Sequence, residues 1–373
     1  MLRRAAADFA SLVHRLHLEG AAADGFAIGV ICYGAPGGGL FMVASLLFLG
    51  FAVRQEPLLP APRSYLCQRA SGAIVLDGRL DEAAWARVPF TDHFVDIEGS
   101  RRPTPRFRTR AKMLWDDKYL YIGAELEEPH VRATLSERDS VIFHDNDFEV
   151  FMDPDDDGLM YSELEMNALN TTWDLLLPHP YRTGGPALTG WDIKGLRTAV
   201  HVDGTLNDSR DKDRGWSVEI AIPWSGIAEI CHCACPPRLG DQWRINFSRV
   251  EWQTRVSGGK YETVPGTRED NWVWSPQGAV DMHIPDRWGV LQFASSASDG
   301  LRPLDGWMER QELSRVWEAE GRFRRQTGRW ASSAADLGLS YPGLTLYATP
   351  SLFEAAIGRF HVDEQLRFWK SDK

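Results

Sequence analysis

Residues 141–167, VIFHDNDFEVFMDPDDDGLMYSELEMN, decide how this chain is read. Phe148-Glu149-Val150-Phe151-Met152 alternates around one acidic residue, as a strand with one buried face does. Asp153-Pro154-Asp155-Asp156-Asp157-Gly158 then makes a hard turn, because proline fixes φ and glycine accepts a positive φ. Tyr161 to Asn167 returns as a second alternating run, with Glu163, Glu165 and Asn167 on one face. The stretch predicts a β-hairpin crowded with carboxylates. Carboxylates held that closely repel one another unless a cation, an arginine or a polar ligand pairs with them.

On either side of the hairpin, residues 67–294 offer short alternating runs separated by Gly, Pro, Asn and Asp. They predict strands at 112–115, 120–125, 148–152, 161–167, 173–177, 216–221, 244–250 and 290–293. That spacing suits an all-β, antiparallel β-sandwich better than alternating strands and helices. Asp81 to Ala86 reads as a single helical turn that buries Trp85. After Ser295 the pattern changes. Residues 307–327 read as a helix with Leu313, Val316, Trp317 and Phe323 near one face, and 344–347 as part of a terminal hairpin. The division predicted is an N-terminal segment over 1–63, the sandwich over 64–295, and a helix-plus-hairpin extension over 296–373.

The N-terminal segment has no charged residue from Gly25 to Val53, and its stronger half, Leu40 to Val53, has the length of a signal-peptide core. An exported protein is expected, whether periplasmic, secreted or at the outer surface. A membrane anchor using residues 25–53 is the alternative reading. Gln55 to Arg63 reads as a proline-rich linker. The net charge of −11 argues against a nucleic-acid partner, since phosphate needs a basic face. If Cys32 is removed with the leader, Cys67, Cys231, Cys233 and Cys235 are left, an even number compatible with disulfides or free thiols. The spacing of Cys231-His232-Cys233-Ala234-Cys235 is not that of common zinc sites.

Several motifs in order carry a resemblance: Ile74-Val75-Leu76-Asp77-Gly78-Arg79-Leu80-Asp81-Glu82-Ala83-Ala84-Trp85, then Leu114-Trp115-Asp116-Asp117-Lys118-Tyr119-Leu120-Tyr121-Ile122-Gly123. After the hairpin come Val218-Glu219-Ile220-Ala221-Ile222-Pro223-Trp224, Gly240-Asp241-Gln242-Trp243-Arg244-Ile245-Asn246-Phe247 and His283-Ile284-Pro285-Asp286-Arg287-Trp288-Gly289. Together they resemble the family 9 carbohydrate-binding modules, in the family 9-like branch of secreted bacterial proteins. The resemblance implies a β-sandwich that binds an oligo- or polysaccharide, often with structural calcium, in proteins associated with carbohydrate breakdown.

In that family two tryptophans sandwich the sugar while a Glu, an Arg and an Asn hold its hydroxyls. By motif the Glu falls on Glu149 and the first Trp on Phe143. The Arg falls near Glu165, the second Trp near Met282 and the Asn near Ala279, where this sequence departs from the pattern. Asn167 and the tryptophans Trp173, Trp191, Trp252, Trp272 and Trp274, in or beside predicted loops, are further candidates for the ligand site. For calcium, which takes six to eight oxygen ligands, the candidates are Asp153, Asp155 and Asp157 in the turn, with Asp145 and Asp147 beside it. The expected function is therefore glycan recognition without catalysis. An O-glycosyl hydrolase using two of Asp145, Asp147, Glu149, Glu163 and Glu165 is the alternative. A haem carrier using Met282-His283, or His144 with Met152, is a third reading.

Overall fold

In the computed structural model, which describes residues 60–371, the alternating runs hydrogen-bond into one continuous sheet of twelve strands. The first seven strands are β1 (Ser64–Arg69), β2 (Val95–Asp96), β3 (Thr109–Trp115), β4 (Tyr119–Glu127), β5 (Asp147–Asp153), β6 (Tyr161–Asn167) and β7 (Thr172–Leu177). The chain continues through β8 (Arg197–Asp203), β9 (Gly215–Pro223), β10 (Gln242–Glu251), a small separate hairpin of β11 (Thr254–Ser257) and β12 (Lys260–Thr263), β13 (Asp270–Val273) and β14 (Gly289–Ala294). Across the sheet the order is β7-β6-β5-β10-β14-β1-β3-β4-β9-β8, with β13 on β10 and β2 on β13.

Such a sheet must curl, and the packing shows how. Phe148, Val150 and Met152 of β5, Leu164 and Met166 of β6, and Trp243, Ile245 and Phe247 of β10 share one core with residues from the other half. Those are Met113 and Trp115 of β3, Leu120, Ile122 and Ala124 of β4, and Val218, Ile220 and Ile222 of β9. Alternate residues of these strands thus point into one inter-sheet core, and the sheet doubles over into a β-sandwich. The sequence predicts antiparallel pairing throughout; β1 departs from it, lying parallel to both β14 and β3. About forty residues separate β1 from β3, enough for the crossover that parallel neighbours need.

Between those two strands, the short helix α1 (Ala83–Ala86) buries Trp85, whose indole N–H donates to Glu219 Oε1 at 2.9 Å. The turn at 153–158 has Gly158 at φ +85°, as its sequence requires, and Asp156 also adopts a positive φ.

Helix α2 (Trp307–Thr327) occupies the span its periodicity predicts. A four-stranded antiparallel sheet follows where the sequence suggested a hairpin: β15 (Leu344–Ala348), β16 (Phe353–Ile357), β17 (Phe360–Asp363) and β18 (Phe368–Lys370). Leu313 and Val316 of α2 pack against Phe353, Ala355, Val362 and Phe368 in a second core. This extension is tied to the sandwich at the acidic turn. Arg310 pairs with Asp156, Arg367 with Asp157, and the Phe368 N–H donates to the Asp157 carbonyl at 2.8 Å. Ser314 Oγ also donates to Asp286 Oδ2 at 2.8 Å. No helix among the described residues is long and apolar enough to cross a membrane. The leader and anchor readings of residues 25–53 lie outside the described residues.

Candidate functional site

Residues of β5 and β6 that face away from the inter-sheet core form the floor of a cleft of about 430 Å³. The hairpin register sets Glu149 directly opposite Glu165, Phe151 opposite Glu163, and Asp147 opposite Asn167. Trp173 of β7 lies opposite Glu165, and Ser248 of β10 opposite Glu149. Directly opposed residues on one sheet face stand roughly 5 Å apart at Cβ, so the carboxylates crowd together. Loops complete the walls with Phe143, Tyr181, Glu269, Asp281, Met282 and His283. The lower end of the same face is closed by an apolar group that includes Phe151, Tyr161, Leu177, Met282 and Trp288.

The electrostatics follow from burial. Glu149 is 5 % exposed, Glu165 2 % and Asp147 fully buried. Burial pushes the Glu149 carboxyl up to about 7. Burial, and then the charge of Glu149, raises Asp147 and Glu163 well above the usual carboxylate range, and Glu165 is raised by burial and by the other three acids. Oxygens of Asp147, Glu149 and Glu165 lie within 4.8 Å of one another. Asp147 Oδ1 accepts from the Val250 N–H at 3.0 Å, whereas its buried Oδ2 has no partner. Among the described residues, no Lys or Arg lines the cleft. His283 sits 4.0 Å from Glu163, and its Nδ1 lies 3.0 Å from the Tyr161 hydroxyl; burial pushes its pKa down to about 4.

The structure divides the residues named from sequence. Phe143, Glu149, Glu165, Trp173 and Met282 all line the cleft. Phe143 is exposed, and its backbone N–H donates to Glu165 at 3.0 Å, so the aromatic ring and the carboxylate are positioned together. Trp173 is half-buried, with an unpartnered indole N–H. Trp252 stands at the rim and donates its indole N–H to the Phe143 carbonyl at 2.9 Å, pinning that loop.

Four of the ligand candidates go elsewhere. Trp272 is 3 % exposed and belongs to the inter-sheet core beside Phe107 and Arg249, because β13 turns that side of the strand inward; Trp274 joins it there. Trp191 packs on the core's edge and hydrogen-bonds Glu229. Asn167, fully buried, holds the following turn: its amide donates to the Leu135 carbonyl and Asp145, and its oxygen accepts from the Leu169 and Thr171 N–H groups.

The calcium candidates are divided as well. Asp145 accepts from the backbone N–H groups of Thr134 and Leu135, the Thr134 hydroxyl and the Asn167 amide, so protein donors surround it. Asp153 accepts from the Asp156 and Gly158 N–H groups, closing the acidic turn on itself. Asp155 and Asp157 meet His232 within 4.8 Å, but Asp157 already pairs with Arg367 and Asp155 with His232. Met152, named with His144 for haem, is buried in the inter-sheet core. The four described cysteines are free thiols; Cys67 is fully buried, and the Cys231, Cys233 and Cys235 thiols gather in one loop.

Sequence reasoning passed over Tyr181, Glu269, Asn271 and Asp281 as site residues. All four sit in or beside loops, or at a strand edge, that only the closed sandwich brings to the hairpin. Tyr181, beside two prolines at 178 and 180, carried the one local hint, an aromatic held in a turn.

Fold and cleft together define a β-sandwich with an acidic, aromatic-walled binding face. Residues 76–235 match the family model described as "Carbohydrate family 9 binding domain-like", the family that the motifs resemble. Two curated relatives align with the chain. Exoglucanase XynX of Acetivibrio thermocellus is 28 % identical over 183 residues, covering 48 % of this chain and 14 % of the enzyme. Endo-1,4-beta-xylanase A of Thermoanaerobacterium saccharolyticum is 30 % identical over 159 residues, covering 42 % of this chain and 11 % of the enzyme. The chain thus spans a small fraction of the relatives it matches. Among solved structures, a carbohydrate binding module family 9 domain from Caldicellulosiruptor kristjanssonii in complex with cellotriose aligns at 18 % identity and a TM-score of 0.38, over 65 % of this chain and 99 % of that one.

Proposed function

We propose that this protein binds an oligo- or polysaccharide in the β5–β7 cleft and does not transform it. A pyranose offers apolar C–H faces and hydroxyl edges. The cleft offers aromatic faces from Phe143, Trp173 and Tyr181 next to the carboxylates Glu149, Glu163 and Glu165. That juxtaposition on the fold of a family 9-like domain is the observation that carries the reading. Export to a compartment where polysaccharides are met is part of the same proposal, supported by the apolar run from Gly25 to Val53.

Geometry favours binding over hydrolysis. Glycosidases hold their two carboxyl groups about 5–5.5 Å apart for retention, or roughly 6.5–9.5 Å for inversion, with the scissile bond between them. Here oxygens of Asp147, Glu149 and Glu165 come within 4.8 Å of one another as one cluster on the hairpin, an arrangement that supports binding. The full chain on a glycan array, with a parallel reducing-end assay, tests the reading. Saturable binding without new reducing ends is expected, and Glu149→Ala should weaken affinity about tenfold or more, the worth of a hydrogen bond to a charged group. Reducing-end release that Glu149→Ala abolishes while binding persists would replace the binder with a hydrolase.

A further inference from the structure

We infer that Asp147, Glu149 and Glu165 form the binding site of a hard divalent cation, calcium above all, with Glu149 and Glu165 at the floor of the cleft and Asp147 buried beside them. Three observations meet there. The oxygens of these residues lie within 4.8 Å of one another, a span that one ion with Ca–O bonds of about 2.4 Å can bridge. All three side chains are at least nine-tenths buried, and Asp147 Oδ2, with no exposure, has no hydrogen-bond partner. Among the described residues, no Lys or Arg lines the cleft to take their charge. The nearest arginine along β10, Arg249, is committed to Glu128 and Glu251. Burial without a counter-charge drives these carboxyls toward their protonated forms, and a cation bound among them would let all three ionise.

The donor set defines the ion's class. Three carboxylates with neither sulfur nor a ring nitrogen among them suit a hard ion and disfavour copper or zinc. Calcium takes six to eight oxygens in flexible geometry, so three side chains leave coordination positions facing the open cleft. Water fills them in the free protein. In the glycan-bound protein vicinal hydroxyls take their place, a role that rests on the glycan reading, whereas the cation site itself does not. The ion would then supply the positive charge that an arginine near Glu165 supplies elsewhere in the family.

The test uses the full chain, stripped with EDTA and titrated with CaCl2 by calorimetry and by thermal melting. One calcium ion per chain and a rise in Tm are expected, because a ligand of the folded state stabilises it. Asp147→Asn and Glu165→Gln should each weaken calcium binding at least tenfold, yet melt no lower than wild type when metal-free, since each relieves repulsion. Absence of heat and of a Tm shift up to about 10 mM Ca²⁺, above the ~1 mM range of extracellular calcium modules, overturns the site. So does calcium affinity unchanged in both variants. Metal-free protein that takes up glucosamine oligomers and no calcium shows instead that an amino sugar meets the charge, and the cation site fails. Glycan binding indifferent to EDTA removes the ion while the glycan reading stands. Calcium binding that Asp147→Asn abolishes, in a protein that binds no glycan under any condition, upholds the ion and removes the glycan reading.

Discussion

Replacing Asp156 by asparagine tests how the C-terminal extension is held to the sandwich. Asp156 pairs with Arg244 at 2.6 Å and with Arg310 at 3.0 Å; the two arginine side chains are only 1 % and 10 % exposed. Asparagine keeps the shape and tolerates the positive φ at this position, so the change removes charge and little else. It strands two buried guanidinium groups, and breaking a buried pair from one side costs about 3–5 kcal/mol. Against a typical unfolding free energy of roughly 5–15 kcal/mol, that is a large loss. Asp157→Asn is the matched control one residue away, because its partner Arg367 is 54 % exposed and such a pair contributes about 0–1 kcal/mol.

Urea unfolding followed by tryptophan fluorescence measures both variants, and limited proteolysis around residues 295–306 shows whether the extension has been released. A difference of less than about 1 kcal/mol between the two variants refutes the reasoning, since surface pairs reach that size by themselves. Acid provides a second arm. Burial alone would raise the Asp156 carboxyl, but Arg244 and Arg310 outweigh it and hold the group below its usual value. A depressed carboxylate stabilises the fold above its unfolded value near 3.9 and loses that contribution as pH falls through the lower folded value. The gap between wild type and Asp156→Asn should therefore close below about pH 4.

Trp173→Ala should lower glycan affinity by up to about tenfold with little effect on folding, the scale of one aromatic contact, whereas Trp272→Ala should cost about 3–5 kcal/mol of stability by emptying the core; equal effects of the two on binding and stability would contradict their placement. Under native conditions a thiol reagent should label exposed Cys233 before fully buried Cys67, whose thiol burial also pushes well above the usual range; Cys67 should react only on unfolding, as mass spectrometry of labelled peptides would show. Gly289→Ala should destabilise by more than the usual surface change, because an added Cβ would meet the Trp274 ring at 2.3 Å, inside a packed core with no room to shift; a melting temperature equal to wild type would show that the ring moves.

The hairpin is the part of the site that local sequence reveals. A strand's period of two and a Pro-Gly turn are properties of neighbouring residues, so the hairpin and its crowd of carboxylates could be read locally, while the register that sets Glu149 opposite Glu165 came with the structure. The same locality explains why α2 falls on its periodic span. Tryptophan is different. An indole serves equally as core or as ligand platform, and which one it becomes depends on the side from which a distant strand covers it; hence Trp173 faces the cleft and Trp272 the core.

Asn167 read as a ligand group because it shares a face with two glutamates, yet it secures a turn through Leu135 and Asp145, more than twenty residues away in sequence. The acidic turn read as an ion site, and its partners Arg310 and Arg367 lie more than 150 residues further on.

From the sequence alone follow the sandwich class, the positions of eight of its strands, the carboxylate-rich hairpin and the helix of the extension, because periodicity and turn chemistry act between near neighbours. Tertiary structure alone decided the parallel placement of β1, the fate of each tryptophan, and the pairing of the acidic turn with arginines of the extension. Those depend on which surfaces meet when the sheet curls closed, and burial and charge pairing are set by that meeting, whatever the order of residues along the chain.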